Sequence, residues 1–412
     1  MLKPMLKKKI QCPTHVATRS SSSLTLSTSD WANLPEDIVD AIMKKMCYVD
    51  LSTFRAVCKS WRLMYINRSC CIPRNIPLGV PMLLFNACKP YSNSHKFVKM
   101  GGEITSNDVF MPEAANKWVC GSSLDWIVLA GVGTDGIEVN LLNPFTRRVI
   151  RLPSVDTFTM NFNCFPEPDV PLCCFSYIHK AILSTNPAIS EQDCIIMAIV
   201  GTKRKLSYCR IGDKRWTNVE GSLQKLSDVI YYEGKFYATT DDDGLISCNI
   251  MDPNSTETVS ILTLVHSRTF TSVDKRYLVM ASGCLLLVSR ADKYRFEVHS
   301  LRKLKRSRVQ SPSRSLQIPN EVEIWYEWIE IDSIGDQLLF VGNNGSFALP
   351  VQGHGGRANC IYFREDFGNL PGHLHEDYTG RYDIGKKSTT LYNGYAHDDE
   401  LLPSFWVNLT PW

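Results

Sequence analysis

The sequence has no unbroken apolar run of about 18 residues, the length that a membrane-spanning helix needs, and no hydrophobic signal-peptide core near its start. Its 15 cysteines are scattered and never spaced C-x-x-C, so the spacing of a zinc ribbon is missing. We therefore expect no membrane partner, no metal, and a reducing compartment in which most thiols are buried as small apolar side chains.

The familiar catalytic patterns are missing as well. There is no G-x-S-x-G elbow, and the nine histidines lie in no recognisable catalytic setting. Residues Gly131–Gly136 match G-x-G-x-x-G letter for letter. The alternating residues that follow, stopped by Pro144, predict a strand rather than the helix that dinucleotide binding requires. We expect a protein that is not an enzyme and that binds no cofactor.

Charge is also scarce. The formal net charge of +3 is too small for 412 residues to indicate a nucleic-acid partner. The densest basic run, Arg302–Arg308, contains no aromatic residue on which bases could stack. Three interpretations of this run stay open, namely a solvated loop between strands, a nuclear-import signal and a patch for an acidic partner.

Two clusters of oxygen and nitrogen ligands have poor spacing for a metal. Asp241–Gly244 lacks the alternating ligands and distal glutamate of a calcium loop, and predicts a hairpin turn. His373 and His375, two residues apart and followed by Glu376 and Asp377, could chelate only on a bent loop. We predict a surface loop there.

Residues 1–29 are basic and rich in serine, and no acidic residue occurs before Asp30. This composition predicts a disordered tail. It is also typical of an organellar transit peptide, which remains the alternative.

Residues Asn33–Tyr65 predict a compact helical module. Pro35 suits the first turn of a helix, where its missing N–H costs nothing. Ile38, Ile42 and Met46 recur every four residues as an apolar stripe. A second helix presents another apolar face, formed by Leu51, Phe54, Val57, Cys58 and Trp61. So short a segment cannot bury both faces alone, and we expect a partner.

The module resembles an F-box. It carries the motif elements Leu34-Pro35, Asp37, Asp50-Leu51 and the run Phe54–Trp61 in order, with Met46 and Cys47 departing from the usual pattern. The resemblance implies docking on a Skp-type adaptor and, through it, on a cullin. The residues expected to carry this docking, some of which also serve the module's own core, are Leu34, Pro35, Ile38, Ile42, Leu51, Phe54, Val57 and Trp61.

After the helices the chain changes to short β-rich runs joined by Gly, Asn and Asp turns. Five strand–turn–strand units start at intervals of roughly 40 to 70 residues. A weaker unit precedes them, with strands near 82–85, 97–100 and 104–110. Hairpins of this kind bury both faces when they stack around an axis, so we predict a β-propeller of six or seven blades. The alternative is a pair of β-sandwiches.

Further motifs of this region resemble the plant F-box-associated propeller of the KIB type. They are Trp118–Ser123, Leu142–Arg147 with Leu152-Pro153, Asn359–Phe363 and Pro403–Trp406. The predicted organisation is therefore multidomain: a tail (1–29), an all-α F-box (30–70), a linker (71–80) and an all-β propeller (81–412).

The resemblance implies a non-catalytic substrate receptor of an SCF-type cullin-RING ubiquitin ligase, which presents a protein substrate on the propeller. We expect it in the nucleus, the cytoplasm or both. The alternative is a non-catalytic propeller scaffold, in an organelle if residues 1–29 are a transit peptide, with a degenerate F-box. Neither the substrate nor the residues that bind it can be read from the sequence.

Overall fold

The computed structural model describes two short helices and 26 strands. The described residues are 31, 34–43, 54, 57–68, 81–85, 94–99, 106–115, 117–133, 136–144, 146–158, 177–220, 225–242, 244–250, 259–262, 264–265, 275–292, 294–307, 322–351, 356–364, 379–392 and 404–408. Within them, no helix is long and apolar enough to cross a membrane.

The two helices are α1 (Glu36–Met43) and α2 (Lys59–Arg68). Helix α1 begins where the sequence predicts, since the Val39 N–H donates to the Pro35 carbonyl at 3.1 Å. Glu36 and Asp37 lie in its first turn, where negative charge complements the helix dipole.

Most strands pair antiparallel with a neighbour along the chain, and the strands form six sheets of four or five strands. The first sheet contains β1 (Pro81–Phe85), β2 (Ser94–Lys99) and β3 (Ser106–Phe110). The second contains β4 (Lys117–Ser123), β5 (Trp126–Gly133), β6 (Gly136–Leu142) and β7 (Val149–Leu152). The third contains β8 (Ile178–Leu183), β9 (Ile195–Val200), β10 (Lys205–Arg210) and β11 (Thr217–Asn218). The fourth contains β12 (Leu226–Tyr232), β13 (Lys235–Thr240), β14 (Leu245–Cys248) and β15 (Val259–Leu262).

The last two sheets have five strands each. The fifth contains β16 (Leu264–Val265), β17 (Lys275–Ala281), β18 (Cys284–Arg290), β19 (Phe296–Ser307) and β20 (Val322–Glu330). The sixth contains β21 (Gln337–Val341), β22 (Phe347–Pro350), β23 (Cys360–Arg364), β24 (Thr379–Asp383) and β25 (Ser388–Tyr392). The final strand, β26 (Ser404–Asn408), returns to the first sheet and pairs with β1.

Contacts between neighbouring sheets arrange them around an axis. Strands β4, β8, β12 and β17, one from each of four consecutive sheets, contact one another in that order, β17 contacts β21 and β22, and β26 contacts β4. The side chain of Trp406 on β26 donates from Nε1 to the Val341 carbonyl of the sixth sheet at 3.0 Å. The Ser122 hydroxyl of the second sheet donates to the Trp406 carbonyl at 2.7 Å. Strand β26 thus joins the last sheet to the second through the first.

This arrangement confirms the predicted β-propeller. The sequence predicted the number of blades, six or seven, only approximately. The five predicted hairpins form, as does the weaker three-stranded unit. Their strands bury apolar side chains against neighbouring sheets. Strand β9, a central strand of its sheet, is buried at every position. The alternative of two β-sandwiches is not what the chain forms.

One interpretation of the basic run is wrong. Residues as far as Ser307 belong to β19 rather than to a loop between strands. Beyond Ser300 this strand no longer pairs with β18. It stays paired with β20 as far as Ser307, which lies opposite Val322. The side chains of Arg302 and Glu327 face each other across the two strands, with Nη2 and Oε2 2.6 Å apart. This cross-strand ion pair offsets part of the charge repulsion within the basic run.

Candidate adaptor-docking surface

The helical module has a small apolar core of its own. Val39 and Phe54 are completely buried within it. The Phe54 ring stacks on Trp61, with the ring centroids 4.3 Å apart and an interplanar angle of 21°. Trp61 also donates from its indole nitrogen to the Trp31 carbonyl at 2.7 Å. These contacts tie the second helix to the segment that precedes the first.

Several large apolar side chains of the same module point into water. The exposed fractions are 46% for Ile38, 57% for Val57, 58% for Leu63 and 61% for Trp31. Burying a side chain of this size contributes about 1.5–3 kcal/mol. The module therefore leaves an apolar surface that a partner protein could cover with a substantial gain in free energy.

The structure divides the eight residues of the docking prediction into three groups. Pro35, Ile38 and Val57 are exposed, Phe54 is buried in the module's core, and the half-buried ones are Leu34, Ile42 and Trp61. Leu51 lies outside the described residues. The role of these residues in docking stays a prediction. Among the described ones, the candidates for direct contact are those whose side chains solvent can reach.

The side chains of α1 that face the core are not those of the predicted stripe with its four-residue period. Val39 faces the core together with Ile42, three residues later, whereas Ile38 faces solvent. Two exposed residues were missed by the sequence reasoning. Leu63 lies beyond the motif run that ends at Trp61, and Trp31 lies just before the motif begins. Only the structure shows that both are uncovered.

The propeller buries several ionisable groups. The Lys180 ammonium on β8 pairs with the Asp228 carboxylate on β12, and both side chains are almost fully buried. The backbone N–H groups of Val229 and Leu278 also donate to Asp228, at 2.6 and 2.8 Å. Burial raises the pKa of Asp228, while Lys180 and these two donors oppose the shift. This network joins three consecutive sheets.

The buried thiols are not activated. Desolvation raises the pKa of Cys194 to about 11 and that of Cys248 to about 12, and burial also raises the pKa of Cys209. All three are protonated at neutral pH, so they are poor nucleophiles. They serve as small apolar side chains of the core.

Two sequence motifs have structural explanations. The G-x-G-x-x-G match is the turn of the β5–β6 hairpin, in which Gly133 pairs with Gly136. In the acidic motif, the Thr240 N–H donates to the Gly244 carbonyl at 2.9 Å, which closes a hairpin turn. Within the described part of the chain, no group of three His, Cys, Asp or Glu side chains could hold a metal ion. The His373–Asp377 segment lies outside that part.

Family models of known proteins match both regions of the chain. An F-box domain matches residues 31–64, and the KIB1-4 β-propeller matches residues 97–393. The chain belongs to the KIB1-4 β-propeller family. Both resemblances noted in the sequence are thereby confirmed. In this KIB1-4 protein the propeller match ends before β26, the strand that completes the first sheet.

Relatives of this KIB1-4 protein carry F-box names. F-box protein SKIP23 of Arabidopsis thaliana is 22% identical over 78% of this chain and 80% of its own length. An F-box/kelch-repeat protein of Arabidopsis thaliana is 23% identical, covering 81% of this chain and 80% of its own. Neither the family models nor these relatives indicate an enzyme family.

Similarity to solved structures is weak. TolB from Acinetobacter baumannii matches with a TM-score of 0.39 and 9% identity, covering 84% of this chain and 72% of TolB. A TM-score this low supports no argument about the KIB1-4 protein, whose fold is established by its own strand pairing and family match.

Proposed function

We propose that this chain is the substrate-recognition subunit of an SCF-type cullin-RING ubiquitin ligase. In this role the F-box docks on a Skp-type adaptor, which binds a cullin, and the propeller holds a protein substrate. The observation that carries the proposal is the exposure of Ile38 and Val57 on a module that a family model identifies as an F-box. Apolar side chains left in water at this site are the expected contacts for an adaptor.

The chain contributes position rather than chemistry in this role. Holding a substrate beside the ubiquitin-charged enzyme converts an encounter between two molecules into a reaction within one complex. Such a receptor needs two separate surfaces, one for the adaptor and one for the substrate. The F-box and the propeller supply one each.

The test is co-purification with the adaptor and cullin from plant cells, using a variant in which Ile38→Glu and Val57→Glu are combined. Both side chains are exposed, so the substitutions leave the core of Val39 and Phe54 in place. Burying two carboxylates without partners is unfavourable. We expect adaptor and cullin to fall at least about tenfold in the purified sample, since 1.4 kcal/mol changes an equilibrium tenfold.

A matched control places the same two substitutions on the propeller, as Val132→Glu with Ile189→Glu. These side chains are 69% and 75% exposed, so the change in charge and polarity is equivalent. The control is expected to retain adaptor and cullin. Full retention by the F-box variant, or equal loss from both variants, would count against the proposal.

We also propose that the protein works in the nucleus, the cytoplasm or both, where an adaptor and cullin are present. The tail at residues 1–29 lies outside the described residues. Imaging the full chain and a chain that begins at residue 30, each with a fluorescent C-terminal fusion, tests this. Import of the full chain alone into an organelle, with loss of the tail, would instead favour the scaffold alternative.

A further inference from the structure

Four neighbouring inner strands of the propeller are held at fixed relative heights. Gly121 of β4 lies so close to Ala181 of β8 that a Cβ on the glycine would be 2.0 Å from the Ala181 carbonyl oxygen. Asp228 of β12 binds Lys180 of β8 on one side and the N–H of Leu278 of β17 on the other. Strands β4, β8, β12 and β17 are therefore aligned by direct contacts.

Basic side chains occur where three of these strands begin. Lys117 and Lys275 are the first residues of β4 and β17, and Lys225 directly precedes β12. Lys225 comes three residues before Asp228, and Lys275 comes three residues before Leu278, so the Asp228–Leu278 bond places the two lysines at the same end of their strands.

A fourth basic residue joins them from the turn between β9 and β10. The carbonyl of Arg204 accepts a hydrogen bond from the N–H of Leu226 at 3.2 Å, which places Arg204 beside Lys225. We call the four residues Lys117, Arg204, Lys225 and Lys275 the basic rim. They come from separate elements that the chain brings together only on folding.

Three of these charges act on a histidine of the neighbouring strand β8. His179 on β8 has its pKa lowered to about 4, first by burial and then by the charges of Arg204, Lys225 and Lys275. A hydrogen bond between its Nε2 and the Gly201 carbonyl, at 2.9 Å, opposes the shift. The imidazole is therefore neutral at pH 7, and the positive charge of this region belongs to the rim.

The three lysines of the rim contact side chains of the propeller. Lys117 is 3.9 Å from the Glu138 carboxylate, and Lys225 is 4.0 Å from that of Asp241. Lys275 donates to the neutral amide oxygen of Asn343 at 3.1 Å. The Lys225 and Asp241 side chains are about half exposed, at 52% and 48%, so solvent screens their attraction. A carboxylate from another molecule can therefore compete with Asp241 for Lys225, whereas the side chain of Lys117 is only 19% exposed.

We propose that the basic rim binds a stretch of aspartate and glutamate side chains in the protein substrate. This inference rests on the proposed receptor function and adds the chemical class of the substrate segment. Four positive side chains from four elements of the propeller match an extended acidic peptide, and they attract it over distance before contact. The overall net charge of only +3 argues that this local concentration, rather than the whole protein, provides the attraction.

The test measures binding of a fluorescein-labelled poly-glutamate peptide to the full chain by fluorescence anisotropy. A variant combining Lys225→Glu with Lys275→Glu is expected to raise Kd at least about tenfold, because attraction becomes repulsion. Binding to the unchanged protein should also weaken as salt is added, since exposed charges are screened. A milder variant, Lys225→Gln with Lys275→Gln, should show a smaller loss in the same direction while placing no new charge near the buried network.

The matched control combines Lys214→Glu with Lys235→Glu. Both lysines are exposed, and they follow β10 and β12 at the ends remote from the rim. The change in net charge is identical, so Kd should stay within about twofold of the unchanged protein. Circular dichroism and thermal midpoints verify that each variant is folded.

Three results would overturn the proposal. The first is that the unchanged protein does not bind the peptide. The second is that the rim and control variants raise Kd for the peptide equally. The third is that an oligonucleotide of equal charge binds more tightly than the peptide and loses this binding in the rim variant. The last result would assign the rim to nucleic acid. Adaptor co-purification by the rim variants should be unaffected. A failure of the rim proposal is thus distinct from a failure of the receptor function, which the F-box variant reports.

Discussion

At the scale of single residues, the buried carboxylate of Asp228 links neighbouring sheets of the propeller. It binds the buried ammonium of Lys180 and two backbone N–H groups, and so links three sheets. A buried ion pair adds little net stability compared with apolar side chains, but removing one partner leaves an uncompensated charge. Its role is therefore to hold neighbouring strands in one alignment.

Asp228→Ala is expected to destabilise the protein by about 3–5 kcal/mol, because Lys180 remains buried without its counter-ion. The measurement is the free energy of unfolding from urea titration. Asp241→Ala provides the control, since its pair with Lys225 is exposed and contributes about 1 kcal/mol or less. Similar effects of the two substitutions would contradict the assignment of a structural role to the buried pair.

His179 predicts how stability depends on pH. Its pKa is lowered from 6.5 to about 4 in the folded chain, so the unfolded chain binds a proton more readily. The contribution of the neutral imidazole to the free energy of unfolding is complete above pH 6.5. It is lost as the pH falls towards 4. We expect a loss on the order of 3 kcal/mol across this interval, since each unit of pKa difference corresponds to about 1.4 kcal/mol.

The check is a series of urea titrations between pH 7 and pH 4, comparing the unchanged protein with His179→Gln. Glutamine does not titrate, so the variant should lose less stability over the same interval. Identical slopes for the two proteins would show that other groups cause the pH dependence.

At the scale of elements, strand β26 closes the sheet arrangement. It places Trp406 against Phe340 of the sixth sheet, with the ring centroids 5.1 Å apart at 67°. The same strand pairs with β1, so Leu83 lies opposite Trp406 although more than 300 residues separate them. Local pattern predicts that both segments are strands. Their pairing depends on the whole chain returning to its start.

Trp406→Ala is expected to destabilise the propeller by about 3–5 kcal/mol, because it removes a fully buried ring and the hydrogen bond to the Val341 carbonyl. Thermal unfolding gives the shift in midpoint. Tyr294→Ala is the control, because that ring is 50% exposed and should have a small effect. A midpoint unchanged by Trp406→Ala would mean that closure does not depend on β26.

At the scale of the whole molecule, the F-box and the propeller offer separate surfaces. Exposed Ile38 and Val57 belong to the F-box, and the basic rim belongs to four elements of the propeller. A receptor that works by proximity needs both surfaces at once. Damage to either one should therefore reduce ubiquitination of the same substrate for different reasons.

We expect Ile38→Glu with Val57→Glu to abolish recovery of the adaptor while leaving binding of the acidic peptide unchanged. Lys225→Glu with Lys275→Glu should do the reverse. Both variants should lower ubiquitination of a captured substrate at least about tenfold, because one loses the enzyme and the other loses the target. Loss of both activities in either variant would show that the two surfaces are coupled.

Much of the fold could be predicted because its units are local. A glycine or asparagine turn between two apolar runs specifies a hairpin whatever surrounds it, and each predicted hairpin is present. The F-box was readable for a similar reason, since its motif residues lie within one short segment. Ile38 could not be placed in this way. A stripe with a four-residue period does not indicate which of two neighbouring faces of the helix the module buries.

The sequence by itself determined that this chain carries an F-box and strand-rich repeats, and that its glycine motif is followed by a strand rather than a helix. These conclusions rest on spacing, which the covalent chain fixes. Only the tertiary structure decided that Ile38 faces water and Val39 the core, that β26 pairs with β1, and that Lys225 and Lys275 lie at the same end of neighbouring strands. Such facts depend on contacts between distant segments, and these form when burial of apolar surface outweighs the entropy of closing long loops.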